Sequence, residues 1–177
     1  LAFYENDVEV LIDQRTLDAR VRELGAQITN DYAGKPLTVV GILKGSVFFA
    51  TDLAKAIDLP LTVEFLGVSS YLGGTETTGE VRITSDMTKP MAGKHLLIVE
   101  DIIDTGLTMK FLLENLQARH PASLKICALL EKPSRARAKV PIDYKGFVIE
   151  DKFVVGYGLD FDEKFRNLSF IGVMKGK

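Results

Sequence analysis

The sequence predicts an α/β fold: a mostly parallel, twisted sheet flanked by helices, with a small β-rich hood. Three observations carry this expectation. Short apolar runs alternate with segments whose apolar residues recur at helical spacing, as in a sheet with helical crossovers on both faces. The chain has 177 residues and 46% hydrophobic content, enough to bury a full core, and a single domain over 1–177 is expected. No internal repeat or low-complexity linker divides it.

The elements can be justified in order. Leu17, Val21, Leu24 and Ile28 form one apolar stripe, so a helix is expected from about Thr16 to Tyr32, ending near Gly34. Leu37 to Leu43 reads as a short buried strand. A second helix is expected from Val47 to Ile57, with Val47, Ala50, Leu53, Ala54 and Ile57 inward. Leu61–Val68 and the shorter Val81–Thr84 alternate as strands. Between them Ser69 to Glu80 is rich in glycine and threonine and has no apolar period, the composition of a loop that could serve as a lid. Leu96 to Val99 reads as a buried strand ending in two adjacent carboxylates, Glu100 and Asp101. Met109, Leu112, Leu113 and Leu116 then mark a helix, and a strand follows over 123–130. The end of the chain reads as β-rich, with strands expected at Gly146–Ile149, Phe153–Val155 and Leu168–Val173. Ligands of such sheets sit beyond the carboxyl ends of the strands. Lys44-Gly45 and Glu100-Asp101 both fall there, which predicts one shared site.

The segment 95–116 carries the most chemistry. After the acidic pair, Asp104 opens a hydroxyl-rich turn, Asp104-Thr105-Gly106-Leu107-Thr108, that leads into the helix. Such a turn offers free backbone N–H groups, two threonine hydroxyls and the positive end of a helix dipole, which together suit a phosphate. Gly106 lets the backbone approach without a Cβ in the way. Carboxylates do not bind phosphate, but they accept hydrogen bonds from sugar hydroxyls and hold Mg²⁺. A ribose carrying a phosphate satisfies both requirements. Two plainer readings compete. Asp-Thr-Gly also occurs in aspartic proteases, which need two such triplets in β-rich surroundings; here the triplet leads into a helix and two acids precede it. Alternatively, the acids only end a strand and Asp104 only caps a helix.

Val99-Glu100-Asp101-Ile102-Ile103-Asp104-Thr105-Gly106-Leu107-Thr108 closely resembles the ribose-phosphate loop of type I phosphoribosyltransferases, which use 5-phosphoribosyl-1-pyrophosphate (PRPP). Its wording is similar to the hypoxanthine-guanine branch, and the resemblance runs from about Val39 to Val173. It implies that Leu43-Lys44-Gly45 holds a non-proline cis peptide and that Lys44 and Gly45 bind pyrophosphate together with Arg166. Ser70 and Tyr71 match a Ser-Tyr pair on a mobile catalytic loop. Lys132 matches the lysine that donates to the exocyclic oxygen of a 6-oxopurine. Phe153 would stack on the base, Val154 would touch it through its backbone, and Asp160 would serve the metal and base side. Vertebrate members carry Lys directly after Asp-Thr-Gly, whereas this chain has Leu107, as in the bacterial form. Phosphate binding there would rest on backbone groups, Thr105 and Thr108.

The resemblance further implies a Mg²⁺-dependent transfer of the phosphoribosyl group from PRPP to hypoxanthine or guanine. Asp104 would be the general base, Glu100 and Asp101 would serve the ribose and, with Asp160, the metal. The family commonly forms dimers or tetramers. Composition narrows the partners: a net charge of −2 and a pI near 5.8 speak against a dedicated nucleic-acid binder. Cys127 is alone and lies in an apolar run, so a core role and a reducing cytoplasm are expected. No run approaches the ~18 apolar residues that span a membrane, and the start lacks a signal-peptide pattern. The sequence begins at Leu1, not Met, so a few preceding residues are expected. Two other functions remain open: a PRPP-sensing regulator that binds RNA or DNA through a basic face, and a transferase for a different base.

Overall fold

The computed structural model describes residues 7–70 and 81–176. Chain order is β1 (Val8–Ile12), α1 (Gln14–Asp31), β2 (Leu37–Leu43), α2 (Val47–Ala56), β3 (Leu61–Ser70), β4 (Val81–Ser85), β5 (His95–Ile103), α3 (Leu107–Gln117), β6 (Ser123–Glu131), β7 (Tyr144–Val148), β8 (Val154–Val155) and β9 (Ile171–Met174). Six strands make one sheet in the order β4-β3-β2-β5-β6-β7, and β1-β9-β8 make a second. In the large sheet β3, β2, β5, β6 and β7 run parallel and only β4 is antiparallel; the small sheet is antiparallel throughout. The expected α/β architecture with a β-rich hood is therefore observed.

Period-two alternation in the central strands separates two cores. Val39, Leu97, Val99, Cys127 and Leu129 pack with Leu17, Val21, Leu24 and Ile28 of α1 and Phe49, Ala50 and Leu53 of α2. Val40, Ile42, Leu96, Ile98, Ile126 and Ala128 pack with Met109, Leu112 and Leu116 of α3. Asp13 caps α1 by accepting a 2.7 Å hydrogen bond from the Thr16 N–H. Cys127 is fully buried, as expected of a core residue. In α2 the inward stripe is turned from the expected one: Phe49 is buried while Val47 and Ala54 are half-buried. The larger ring takes the deepest position and the small residues are left at the margin.

The largest differences from the sequence reading are two strand ends and one additional strand. The strand at 96–99 does not end at the acidic pair. β5 continues to Ile103, with Glu100 opposite Ala128, Ile102 opposite Leu130 and Ile103 opposite Glu131. The long neighbour β6 supplies ladder partners that local composition cannot reveal. β3 likewise extends through Ser69 and Ser70, which pair with Arg82 and Val81, so the expected loop begins later than Ser69. β1 went unpredicted: its Val8–Ile12 run is short and mostly exposed, and it is a strand because β9, from the far end of the chain, pairs with it.

Candidate active site

The site lies where the parallel strands end, as expected. On one side, β5 leads through Asp104 into the turn before α3. Gly106 has φ +78°, and a Cβ there would stand 2.5 Å from the Ala138 carbonyl oxygen, so only glycine fits both the conformation and the space. The Thr105 carbonyl accepts from the N–H groups of Arg137 and Ala138 at 2.9 and 3.0 Å, tying the turn to the segment after β6. The first N–H groups of α3 have no intrahelical acceptor and open into a cavity of about 90 Å³ lined by Glu100, Asp104, Thr105, Gly106 and Thr108. Its volume and donor set match a phosphate. Leu107 projects outward, 37% exposed, and contributes its backbone at most.

On the other side, β2 ends in the turn before α2. The Leu43–Lys44 peptide bond is cis, as the resemblance implies. Gly45 is enclosed by close neighbours: a Cβ on it would collide with the Asp101 carboxylate, and one on Gly158 would collide with the Gly45 carbonyl. Three distant chain segments thus meet without room for a side chain. Lys44 Nζ lies 2.9 Å from Glu163 Oε2, and Arg166 Nη2 lies 3.5 Å from the same oxygen and 2.8 Å from Asp160 Oδ1. Arg166 also donates to the Gly158 carbonyl at 2.7 Å, while its Nε is buried without a hydrogen bond among the described residues. A cavity of about 360 Å³ is lined here by Lys44, Thr84, Ser85, Glu163 and Arg166.

Glu100 and Asp101 stand between these two places. Burial pushes the Glu100 carboxyl well above the usual carboxylate range, and the neighbouring Asp101 charge adds to it. Asp101, 8% exposed, is raised by burial as well, against the opposing pull of hydrogen bonds and of Arg166. Among the described residues no three His, Cys, Asp or Glu side chains gather into a metal site by themselves. The hard-oxygen pair still suits Mg²⁺, which takes one or two carboxylates and completes its shell with water and substrate phosphate oxygens. Two adjacent acids whose charges lack compensation gain most from a cation.

Beyond β6, Lys132 is only 7% exposed. Its Nζ is 3.6 Å from Asp151 Oδ1, which also accepts from Arg135 Nη1 at 3.5 Å; Arg135 Nε is in turn 2.8 Å from Asp104 Oδ1. Asp104 and Lys132 line one cavity of about 340 Å³. Asp104 also lines the phosphate-sized cavity, so it is a wall common to both. Phe153 and Val154 lie outside that lining. Phe153 is 42% exposed and meets Phe161 edge to face at 5.8 Å. The Met174 N–H donates to the Phe153 carbonyl, and the alternation of an antiparallel pair then turns the Val154 N–H and C=O to the free edge of the small sheet. Ser70 is in β3; Tyr71 and the rest of the expected lid to Glu80 lie outside the described residues.

The structure thus brings together Lys44, Gly45, Asp101, Asp160 and Arg166 on one side and Glu100, Asp104, Thr105, Gly106, Thr108 and Lys132 on the other. The sequence alone assigned no part to Arg135, Asp151 or Glu163, although each lies within a few positions of a residue it singled out. Some of their partners are far away in the chain: Glu163 and Lys44 are 119 positions apart.

Comparison with known proteins agrees with this geometry. The phosphoribosyl transferase domain family matches residues 8–162. The hypoxanthine-guanine phosphoribosyltransferase of Staphylococcus aureus strain Mu50 is 52% identical over 171 residues, covering 96% of each chain. The hypoxanthine phosphoribosyltransferase of Haemophilus influenzae is 50% identical, over 95% of this chain and 96% of its own. A crystal structure of the Staphylococcus aureus hypoxanthine phosphoribosyltransferase superposes with a TM-score of 0.94 at 50% identity, covering 98% of this chain and 95% of the other.

Proposed function

The chain belongs to the phosphoribosyl transferase family, and from that premise we propose that it is a purine-salvage enzyme. It transfers the 5-phosphoribosyl group of PRPP to hypoxanthine or guanine, yielding the nucleoside monophosphate and pyrophosphate. One observation carries this reading: Asp104 is shared by a phosphate-sized cavity and by the cavity that holds the buried Lys132. A carboxylate so placed can reach a base while the sugar phosphate is held on the adjacent turn.

The 5-phosphate sits on the Asp104–Thr108 turn, held by the α3 N–H groups and by Thr105 and Thr108. Glu100 and Asp101 accept hydrogen bonds from the ribose hydroxyls, and with Asp160 they would hold the Mg²⁺. The ion when bound offsets the charge of the pyrophosphate. As the anomeric bond lengthens, positive charge grows on the sugar ring and negative charge on the leaving oxygen. The acidic pair stabilises the first, Lys44, Gly45 and Arg166 the second. Asp104 takes the proton from the imidazole ring of the purine. Lys132 donates to the exocyclic oxygen of the base, Phe153 offers a ring face and Val154 its free backbone edge. For Asp104 to do this, the Arg135 guanidinium must give up its place on the Asp104 carboxylate to the purine ring.

Cytoplasmic residence is consistent with a single buried thiol. No helix of the described residues is long and apolar enough to cross a membrane. A homodimer or homotetramer is proposed from the habit of the family, and sedimentation velocity would test it. The decisive assay is a turnover screen of purine and pyrimidine bases with PRPP and Mg²⁺. Product is expected with hypoxanthine, guanine or both and not with adenine. Product with adenine alone, or none with any base, overturns the reading.

A further inference from the structure

The hairpin turn that carries Glu163 is an odd choice of sequence. Phe161 and Lys164 exchange backbone hydrogen bonds at 3.2 and 3.0 Å, and the two residues between them, Asp162 and Glu163, have φ of +52° and +61°. Two left-handed residues in a two-residue hairpin make a type I′ turn, for which Asn-Gly or Asp-Gly is preferred. The second position holds glutamate instead, a long side chain with no local reason to be there. Its carboxylate reaches out to Lys44 and Arg166, and its N–H donates to Asp160 Oδ2 at 2.9 Å. Lys44 lowers the Glu163 carboxyl below its ordinary range, with Arg166 helping, so it is an anion.

The geometry points to Glu163 as an internal counter-anion occupying the place of the leaving pyrophosphate, so that it sets how tightly pyrophosphate is held. This rests on the assignment of Lys44 and Arg166 to pyrophosphate given above. A pyrophosphate bound by both cations cannot share them with a carboxylate already 2.9 Å from one and 3.5 Å from the other. Glu163 must swing away on binding, and it returns when the product leaves. The contact suits a reversible plug. Both Lys44 and Glu163 side chains are about two-thirds exposed, so the pair is solvated and weak enough to be displaced by a multiply charged anion. Product that would otherwise bind both cations without this competitor is thereby released more readily.

The test is calorimetric binding of inorganic pyrophosphate to the full chain, with and without Mg²⁺, at fixed ionic strength. Glu163→Gln keeps the side-chain length and removes the charge. Glu163→Gly removes the side chain and suits the turn, so it should also raise the denaturation midpoint and guards against a folding failure. Both variants should bind pyrophosphate about two- to fivefold more tightly than the parent, the fold-change of losing one exposed ion-pair competitor. Unchanged or weaker binding in either variant overturns the proposal; weaker binding only with Mg²⁺ would make Glu163 a ligand of the metal–pyrophosphate complex. Lys44→Ala separates the two levels. If it leaves parent binding unaltered, the pyrophosphate assignment fails and this inference with it. If it weakens binding while the Glu163 variants match the parent, only this inference fails.

Discussion

The two sides of the site are built from different materials. The phosphate turn is backbone: a left-handed glycine, the open N–H groups of α3 and two hydroxyls, all within five consecutive residues. The rest of the rim is charged side chains, most of them from separate chain segments, each held by another before any ligand arrives. Lys44 and Arg166 are on Glu163 and Asp160, Lys132 and Arg135 are on Asp151, and Arg135 is on Asp104. A backbone cradle is preorganised and holds its shape without a ligand. A rim of mutually paired charges must exchange partners, so it is where specificity, salt dependence and release are decided.

If that contrast is right, the largest effect belongs to a rim residue. Lys132 has donors and no acceptor, so it pairs with the oxygen of hypoxanthine or guanine but leaves two donors facing each other with adenine. The parent should prefer hypoxanthine over adenine in kcat/KM by about 10⁴–10⁵, and Lys132→Ala should lose most of that preference. Comparable turnover of the two bases by the parent would move specificity elsewhere. Asp104, on the border between the two sides, comes next. Asp104→Asn should lower kcat by roughly 10²–10⁴ with little change in PRPP affinity, and near-parental turnover would remove it as the base.

Smaller effects test the cradle. Gly106→Ala forces a Cβ against the Ala138 carbonyl and an L-residue into left-handed backbone. It should cost about 1–2 kcal/mol of stability in urea titrations and weaken PRPP binding, because the donors are set by that turn. A variant of full stability and affinity would mean that the turn is not a rigid element.

The smallest effect is a pH slope arising from the acids between the two sides. Glu100 and Asp101 both have raised folded-state pKa values, so the folded chain holds their protons to higher pH than the unfolded chain does. The contribution of this pair to stability is therefore full below the ordinary carboxylate pKa of ~4 and is lost as pH rises through the raised values. Glu100→Gln should flatten this decline in denaturant titrations between acid and neutral pH. Because a cation needs the ionised pair, Mg²⁺–PRPP binding should release protons, seen as buffer-dependent heats in calorimetry. Buffer-independent heats would place the cation elsewhere.

The same division governs how much could be read from the sequence. The stripe of α1, the buried run of β2 and the Asp104–Thr108 turn are written in adjacent residues, since helical spacing and the need for glycine at positive φ act over a few positions. The resemblance to the phosphoribosyltransferases rests on such local strings, which is why the family and most of the site's candidates were legible. By contrast, the extension of β5 through Glu100 and Asp101 depends on the length of β6, and β1 exists only because β9 returns beside it.

What the sequence by itself determined is the order of elements from α1 onward, the turn at Asp104–Thr108 and the chemical character of the site. What only the tertiary structure decided is which charges meet. That Arg135 lies on Asp104, that Asp151 bridges Arg135 and Lys132, and that Glu163 pairs with Lys44 and Arg166 are facts of the folded chain. The physical reason is range. Backbone conformation is set by near neighbours, whereas burial and ion pairing depend on distances between groups that only the packed sheet and hood bring together.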